Sequence, residues 1–211
     1  MSPPATDPYC YPGTNVLRNL ESILDPEVLR RFEADAVAVS IVDLRRNPIA
    51  GPFDVRRLQE THRRIFGRVY PWAGEIRRDI GLMAKNRSGF VVAYGPAQHV
   101  PGALTTVFAA LKAENDLHGL GAGAMAKRLA YYYGELDAIH PFRDGNSRTL
   151  RAFAADLAKA AGHRLEWART GQTEDDRQHL YHARDLAVMR GDLSELAEIL
   201  GVCLRPLCDG C

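Results

Sequence analysis

At 211 residues, with 46% hydrophobic and 25% charged residues, the chain is long enough for one well-buried domain and short for two. Its net charge of +1 supplies no global field for nucleic acid or anionic membrane, so neither is expected as a direct partner. No apolar run approaches the ~20 residues of a membrane span, and the amino terminus, with Asp7 among early prolines, lacks a signal peptide's basic and apolar regions. The expected location is cytoplasmic.

Residues 1–13 are rich in Pro, Ser, Thr, Asp and Gly and read as an irregular lead-in. A single domain over 14–204 follows, and 205–211 form a short tail. Tyr9, Tyr11, Pro12 and Gly13 precede Thr14-Asn15-Val16-Leu17. Three of the four cysteines, Cys203, Cys208 and Cys211, crowd the last nine residues; with Cys10 they are too few and too unevenly placed for a disulfide framework and read as reduced thiols.

Asp25-Pro26-Glu27 starts a helix, with Asp as N-cap and Pro in the first turn. Leu29, Phe32, Ala36 and Val39 continue it until Asn47-Pro48. A second helix opens at Asp54, places Leu58, His62 and Ile65 on one face, and stops at Gly67; His62 reads as a partly buried structural residue. Tyr70-Pro71-Trp72-Ala73-Gly74-Glu75-Ile76-Arg77 comes next. From Arg77 to Tyr94 the helical period gives way to β-favouring residues around Lys85-Asn86-Arg87-Ser88-Gly89, a hairpin pattern.

Pro101 to about Asn115 is a third helix carrying Leu104, Val107, Phe108 and Leu111. The Gly119–Gly123 link separates it from a helix bearing Met125, Leu129, Tyr132, Tyr133 and Leu136. Another helix begins near Asn146, buries Leu150, Phe153 and Leu157, and ends at Gly162. Thr173-x-x-Asp176 and Asp192-x-x-Glu195 open two closing helices. The expected fold class is all-α, about seven helices with one β-hairpin.

Chemistry concentrates in His140-Pro141-Phe142-Arg143-Asp144-Gly145-Asn146-Ser147-Arg148-Thr149-Leu150-Arg151. The first N–H groups of a helix lack intrahelical partners and sit at its positive end, so Gly145-Asn146-Ser147 bends main-chain donors toward an anion. Arg148 and Arg151, at i and i+3, place two guanidinium groups above that anion, which suggests a polyphosphate. Asp144 can hold Mg²⁺ against the same phosphates, and His140 can accept a hydroxyl proton near neutral pH.

This stretch resembles the signature of the Fic family, His-Pro-Phe-x-(Asp/Glu)-Gly-Asn-(Gly or Lys)-Arg-x-x-Arg, and departs from it only at Ser147. The Tyr9–Leu17 and Tyr70–Arg77 runs resemble two further segments of the family. The resemblance implies a Fic-type helical domain that moves AMP from ATP to a Ser, Thr or Tyr hydroxyl of a target protein and releases pyrophosphate. It makes His140 the general base, Asp144 the Mg²⁺ ligand, Gly145, Asn146 and Ser147 the anion nest, Arg148 and Arg151 the grip on the β and γ phosphates, and Phe142 the anchor of the loop. A Lys at position 147 marks the Doc branch, which transfers the γ-phosphate; Ser147 is nearer the usual Gly.

The hairpin is similar to the family's flap, along which a target loop pairs by main-chain hydrogen bonds, so Lys85, Arg87 and Phe90 are candidate target contacts; the other reading is a solvated surface hairpin. Many members are restrained by (Ser/Thr)-x-x-x-Glu-(Gly/Asn), whose Glu takes the second arginine. Thr170-x-x-x-Glu174 is followed here by Asp175 and Ser194-x-x-x-Glu198 by Ile199, so neither completes that pattern. The chain therefore looks closer to the toxin branch, in which a separate small antitoxin supplies the Glu; DNA gyrase and topoisomerase IV are expected targets by analogy. A secreted effector, a phosphotransferase on the same scaffold and a non-catalytic helical binding module remain as alternatives.

Overall fold

The computed structural model describes residues 7–78, 80, 83–87 and 90–207, and for residues 86, 87 and 90 the backbone alone. Among them seven α-helices form: α1 Pro26–Arg46, α2 Val55–Phe66, α3 Val100–Ala113, α4 Ala122–Ile139, α5 Asn146–Ala160, α6 Glu174–Arg190 and α7 Ser194–Cys203. The hairpin pairs β1, Ala84–Arg87, with β2, Phe90–Ala93, in antiparallel register Lys85 to Val92. A second small pair, β3 His163–Leu165 with β4 Leu204–Pro206, joins the end of α5 to the end of α7. Three-residue strands so far apart in sequence carry no period of their own, and the sequence gives no sign of them.

The helix starts are built from the expected caps. Asp25 accepts from Glu27 N at 2.8 Å and Val28 N at 3.0 Å, and Asp54 accepts from Arg57 N at 2.8 Å. Thr173 and Asp176 form a reciprocal capping box, which satisfies two otherwise orphaned donors. In α1 the inward face differs from expectation: Val39 is 54% exposed, whereas Leu29, Val37 and Ser40 are buried. The stripe runs through 29, 33, 37, 40 and 44, and it carries a carboxylate, Glu33, toward the interior.

Two apolar clusters result. The larger joins α3, α4, α5, α6 and α7 and contains Phe142; the smaller holds Tyr9, Leu29, Val37, Phe66, Tyr70 and Trp72, from the lead-in, α1, α2 and the loop after it. His62, wholly buried on α2, stacks on Phe142 at 4.0 Å and lies 4.8 Å from Phe66 between ring centroids. The loop between α4 and α5 is thus clamped where the two clusters meet.

Candidate active site

Helix α4 ends at His140, whose backbone turns left-handed (φ 49°, ψ 62°), a conformation that costs a non-glycine residue of order 1–3 kcal/mol. Arg77, almost fully buried, holds that turn. Its Nε donates to the His140 carbonyl at 2.6 Å, its Nη2 to the carbonyls of Gly95 at 2.6 Å and Ile139 at 3.3 Å, and its own main-chain N–H to Pro141 O at 2.8 Å. Orphan carbonyls of a helix end are thereby satisfied by a distant guanidinium.

The His140 ring is 1% exposed and stacks on Tyr94 at 3.6 Å with the planes 15° apart. Burial, with the Lys85 charge acting the same way, pushes its pKa down to about 3, against the opposing pull of Asp137. The imidazole is therefore unprotonated at neutral pH, the form that accepts a proton. Among the described residues neither ring nitrogen has a partner in good hydrogen-bond geometry, though the Asp137 backbone lies near enough to pull on the ring, and a buried polar group so weakly matched calls for an explanation.

The loop between the base and α5 is fixed from within. Asn146 closes it: its Oδ1 accepts from Phe142 N at 3.0 Å and its Nδ2 donates to Phe142 O at 2.8 Å, so what Asn146 can offer an anion is its main chain. His62 braces it from outside: Nδ1 accepts from Gly74 N at 2.8 Å, and Nε2 donates to Asp144 O at 3.0 Å. Only a neutral imidazole does both, in keeping with a pKa lowered by burial to about 4. Gly145 has φ +77°, and a Cβ there would stand 2.4 Å from the Phe66 ring, so this approach to α5 requires glycine.

Helix α5 starts at Asn146 with Gly145 as its N-cap; the Gly145 N–H is taken by Asp144 Oδ1 at 2.5 Å, and no capping side chain takes the N–H groups of the first helical turn. Asp144 stands beside them, its carboxylate 44% exposed and 3.7 Å from Arg148 Nη2. Among the described residues no three His, Cys, Asp or Glu side chains gather as a metal site. A half-exposed carboxylate beside an anion nest nonetheless fits Mg²⁺, which takes one or two carboxylates and completes its shell with phosphate and water.

Arg148 lies over the Phe66 ring at 4.6 Å and pairs with Glu33, whose other oxygen accepts from the Tyr70 hydroxyl. Arg151 stacks over Trp167 at 4.9 Å, with Nη2 3.3 Å from Trp167 O and 3.4 Å from Thr170 Oγ1; Trp167 Nε1 in turn donates to Arg151 O at 2.9 Å. The two arginines line one cavity of about 340 Å³ between α1, α2 and α5. Ser147 Oγ accepts from Arg184 Nη1 at 3.0 Å. Arg184, buried, is bidentate to buried Asp137 at 2.9 and 2.8 Å, and Asp137 Oδ1 lies 4.0 Å from His140 Nδ1. A chain of polar contacts thus runs from Ser147 through Arg184 to Asp137, beside His140.

Of the flap residues, Lys85 is exposed on β1; Arg87 and Phe90 face each other across the register, and their side chains lie outside the described part of the structure, as do Cys208 and Cys211. Sequence reasoning missed Glu33, Arg77, Tyr94, Asp137, Trp167 and Arg184. Two of them carried a signal: Glu33 and Asp137 are carboxylates on apolar helical stripes.

What this geometry offers is a site for an anion, built on a loop between two helices. The sequence matches the Fic/DOC family model over residues 52–158, and the chain belongs to that family. It is 36% identical over 196 residues to the protein adenylyltransferase VbhT of Bartonella schoenbuchensis, covering 90% of this chain and 40% of that one. It is 28% identical to the probable protein adenylyltransferase Fic of Escherichia coli over 76% of each. The chain thus spans well under half of VbhT. Among solved structures, BepC of Bartonella tribocorum with bound AMPPNP matches with a TM-score of 0.82, 26% identity, 94% of this chain and 96% of the other. A Fic domain from Bartonella quintana with bound ADP gives 0.83, 26% and 94% of each.

Proposed function

We propose that the chain is a protein adenylyltransferase that transfers AMP from ATP to a Ser, Thr or Tyr hydroxyl of a target protein. The observation that carries this reading is His140: a buried, neutral imidazole without a well-formed hydrogen bond, fixed in a left-handed turn six residues before the first residue of α5, whose N-cap has no side chain. The target hydroxyl oxygen attacks the α-phosphorus, its proton passes to the His140 ring, and the bond from that phosphorus to the bridging oxygen breaks to release pyrophosphate. The main-chain N–H groups at Asn146 and Ser147 and the guanidinium groups of Arg148 and Arg151 hold the phosphate charge in place. Asp144 would hold Mg²⁺, which neutralises phosphate charge when bound.

The flap supports delivery of an extended target segment. Among the described residues each hairpin strand has one hydrogen-bonded neighbour, so the hairpin keeps an edge for a further strand, with Lys85, Arg87 and Phe90 as the target contacts. Two observations favour restraint by a separate small antitoxin bearing a Glu. Glu174 bonds Arg177 and Gln178 while Glu198 is exposed, and the cavity beside Arg151 is open to an outside carboxylate. Among the described residues no helix is long and apolar enough to cross a membrane; the proposed setting is the cytoplasm, with DNA gyrase or topoisomerase IV as target by family analogy.

The test is incubation with Mg²⁺, ATP and either candidate target, followed by intact mass. An added AMP that disappears with His140→Ala supports the reading. An added phosphate assigns the Doc-type reaction, which Ser147 would then tolerate, and no change with any target speaks for a binding module.

A further inference from the structure

We infer that Glu33 of α1, backed by Tyr70, is a positioning residue for triphosphate binding: it fixes the Arg148 guanidinium so that its remaining donors face the anion nest. This rests on the reading of Arg148 as a phosphate grip. Glu33 is 14% exposed on the inward stripe of a helix whose other inward residues are apolar or small. One carboxylate oxygen takes Arg148 Nη1, and the other takes the hydroxyl of Tyr70, a ring stacked on Trp72 at 4.5 Å. Burial first, and then the Glu33 charge, hold the Tyr70 pKa well above the usual phenol range, so the tyrosine remains a donor and cannot release the carboxylate by ionising. Phe66 supports one face of the guanidinium at 4.6 Å. Held by an ion pair at one edge and a ring below, Arg148 keeps Nη2 on the side of Asp144, 3.7 Å away, at the mouth of α5.

Two effects of Glu33 oppose each other. Its charge repels incoming phosphate, while its contacts order a long side chain that is otherwise free to rotate. At 14% exposed, Glu33 is screened little by solvent, but the Arg148 guanidinium and the Tyr70 hydroxyl against its two oxygens offset its charge, whereas the ordering acts undiminished, and ordering wins. Gln at position 33 preserves both contacts: its carbonyl accepts from Arg148 and its amide donates to the Tyr70 oxygen.

The experiment is calorimetric titration of the full chain with Mg²⁺ and the β,γ-imido analogue of ATP, and in parallel with AMP. Glu33→Ala is expected to weaken the triphosphate about 3- to 10-fold and AMP less than twofold; Glu33→Gln restores binding to within about twofold, and Tyr70→Phe falls between. Should Glu33→Ala fail to fold, Glu33→Asp replaces it: it keeps the charge but is too short to span both partners, and it is expected to show the same selective loss. Equal loss of AMP and triphosphate binding reduces Glu33 to a fold-stabilising residue and overturns the inference. So does tighter triphosphate binding by Glu33→Ala, which makes the carboxylate a competitor, or a Glu33→Gln no better than Glu33→Ala. If the unaltered chain binds neither nucleotide, the nucleotide site itself falls, and this inference with it.

Discussion

Arg148 and Arg151 sit one helical turn apart on α5 and are held in opposite ways. Arg148 is paired with a carboxylate and lies near a second; its charge is offset before any ligand arrives. Arg151 is held by neutral groups, the Trp167 ring and carbonyl and the Thr170 hydroxyl, and burial pulls its pKa below the usual arginine value. A charge kept in a partly dry site without a counterion gains most from an arriving anion. On the proposed function, Arg151 is therefore where an inhibitor's carboxylate and a nucleotide's phosphate would compete, and Arg148, already compensated, would serve as a geometric guide.

The sharpest check on this contrast uses the third guanidinium. Arg184 is fully matched by Asp137 and buried, so Arg184→Met strands a carboxylate in the interior and should cost about 3–5 kcal/mol in denaturant unfolding. Pairing it with Asp137→Leu should recover most of that loss. Next, Arg151→Ala should lower kcat/KM for ATP about 100- to 1,000-fold, and Arg148→Ala only about 10-fold. Equal losses would erase the distinction between the two.

A pH-dependent effect concerns the two buried histidines that flank the loop. Their folded pKa values, about 3 for His140 and about 4 for His62, lie below the unfolded value of ~6.5, so the unfolded chain takes up the protons first. Their stability contribution is full above pH 6.5 and is lost as pH falls toward 4 and then 3, by roughly 1.4 kcal/mol per unit for each. His140→Ala should remove about one proton's worth of slope between pH 6 and 4 in unfolding titrations.

How legible this was depended on distance along the chain. The caps at Asp25, Asp54 and Thr173, the hairpin and the His140–Arg151 segment are local chemistry, and position along the sequence suffices to find them. What holds the site is not local: Arg77 reaches His140 across 63 residues, Glu33 reaches Arg148 across 115, and Arg184 reaches Asp137 across 47. No period or spacing encodes such pairs. The misread of α1 has the same origin: Val39 fits a helical stripe as well as Val37 does, and packing on α2 decides which faces inward. Asn146 shows a subtler limit, since its type suits an anion nest while its amide is spent closing the loop on Phe142.

Arg77 precedes the flap and Gly95 follows it, and one guanidinium binds both Gly95 O and His140 O. The segments on either side of the hairpin are therefore tied through Arg77 to the His140 main chain. The two paired arms of the hairpin are four residues each, about 13 Å long. Under the proposed function a guest strand laid along it would inherit its distance to the imidazole from the host's own chain length, so which hydroxyl is modified would be measured off like a mark on a ruler, with little need to recognise that side chain itself.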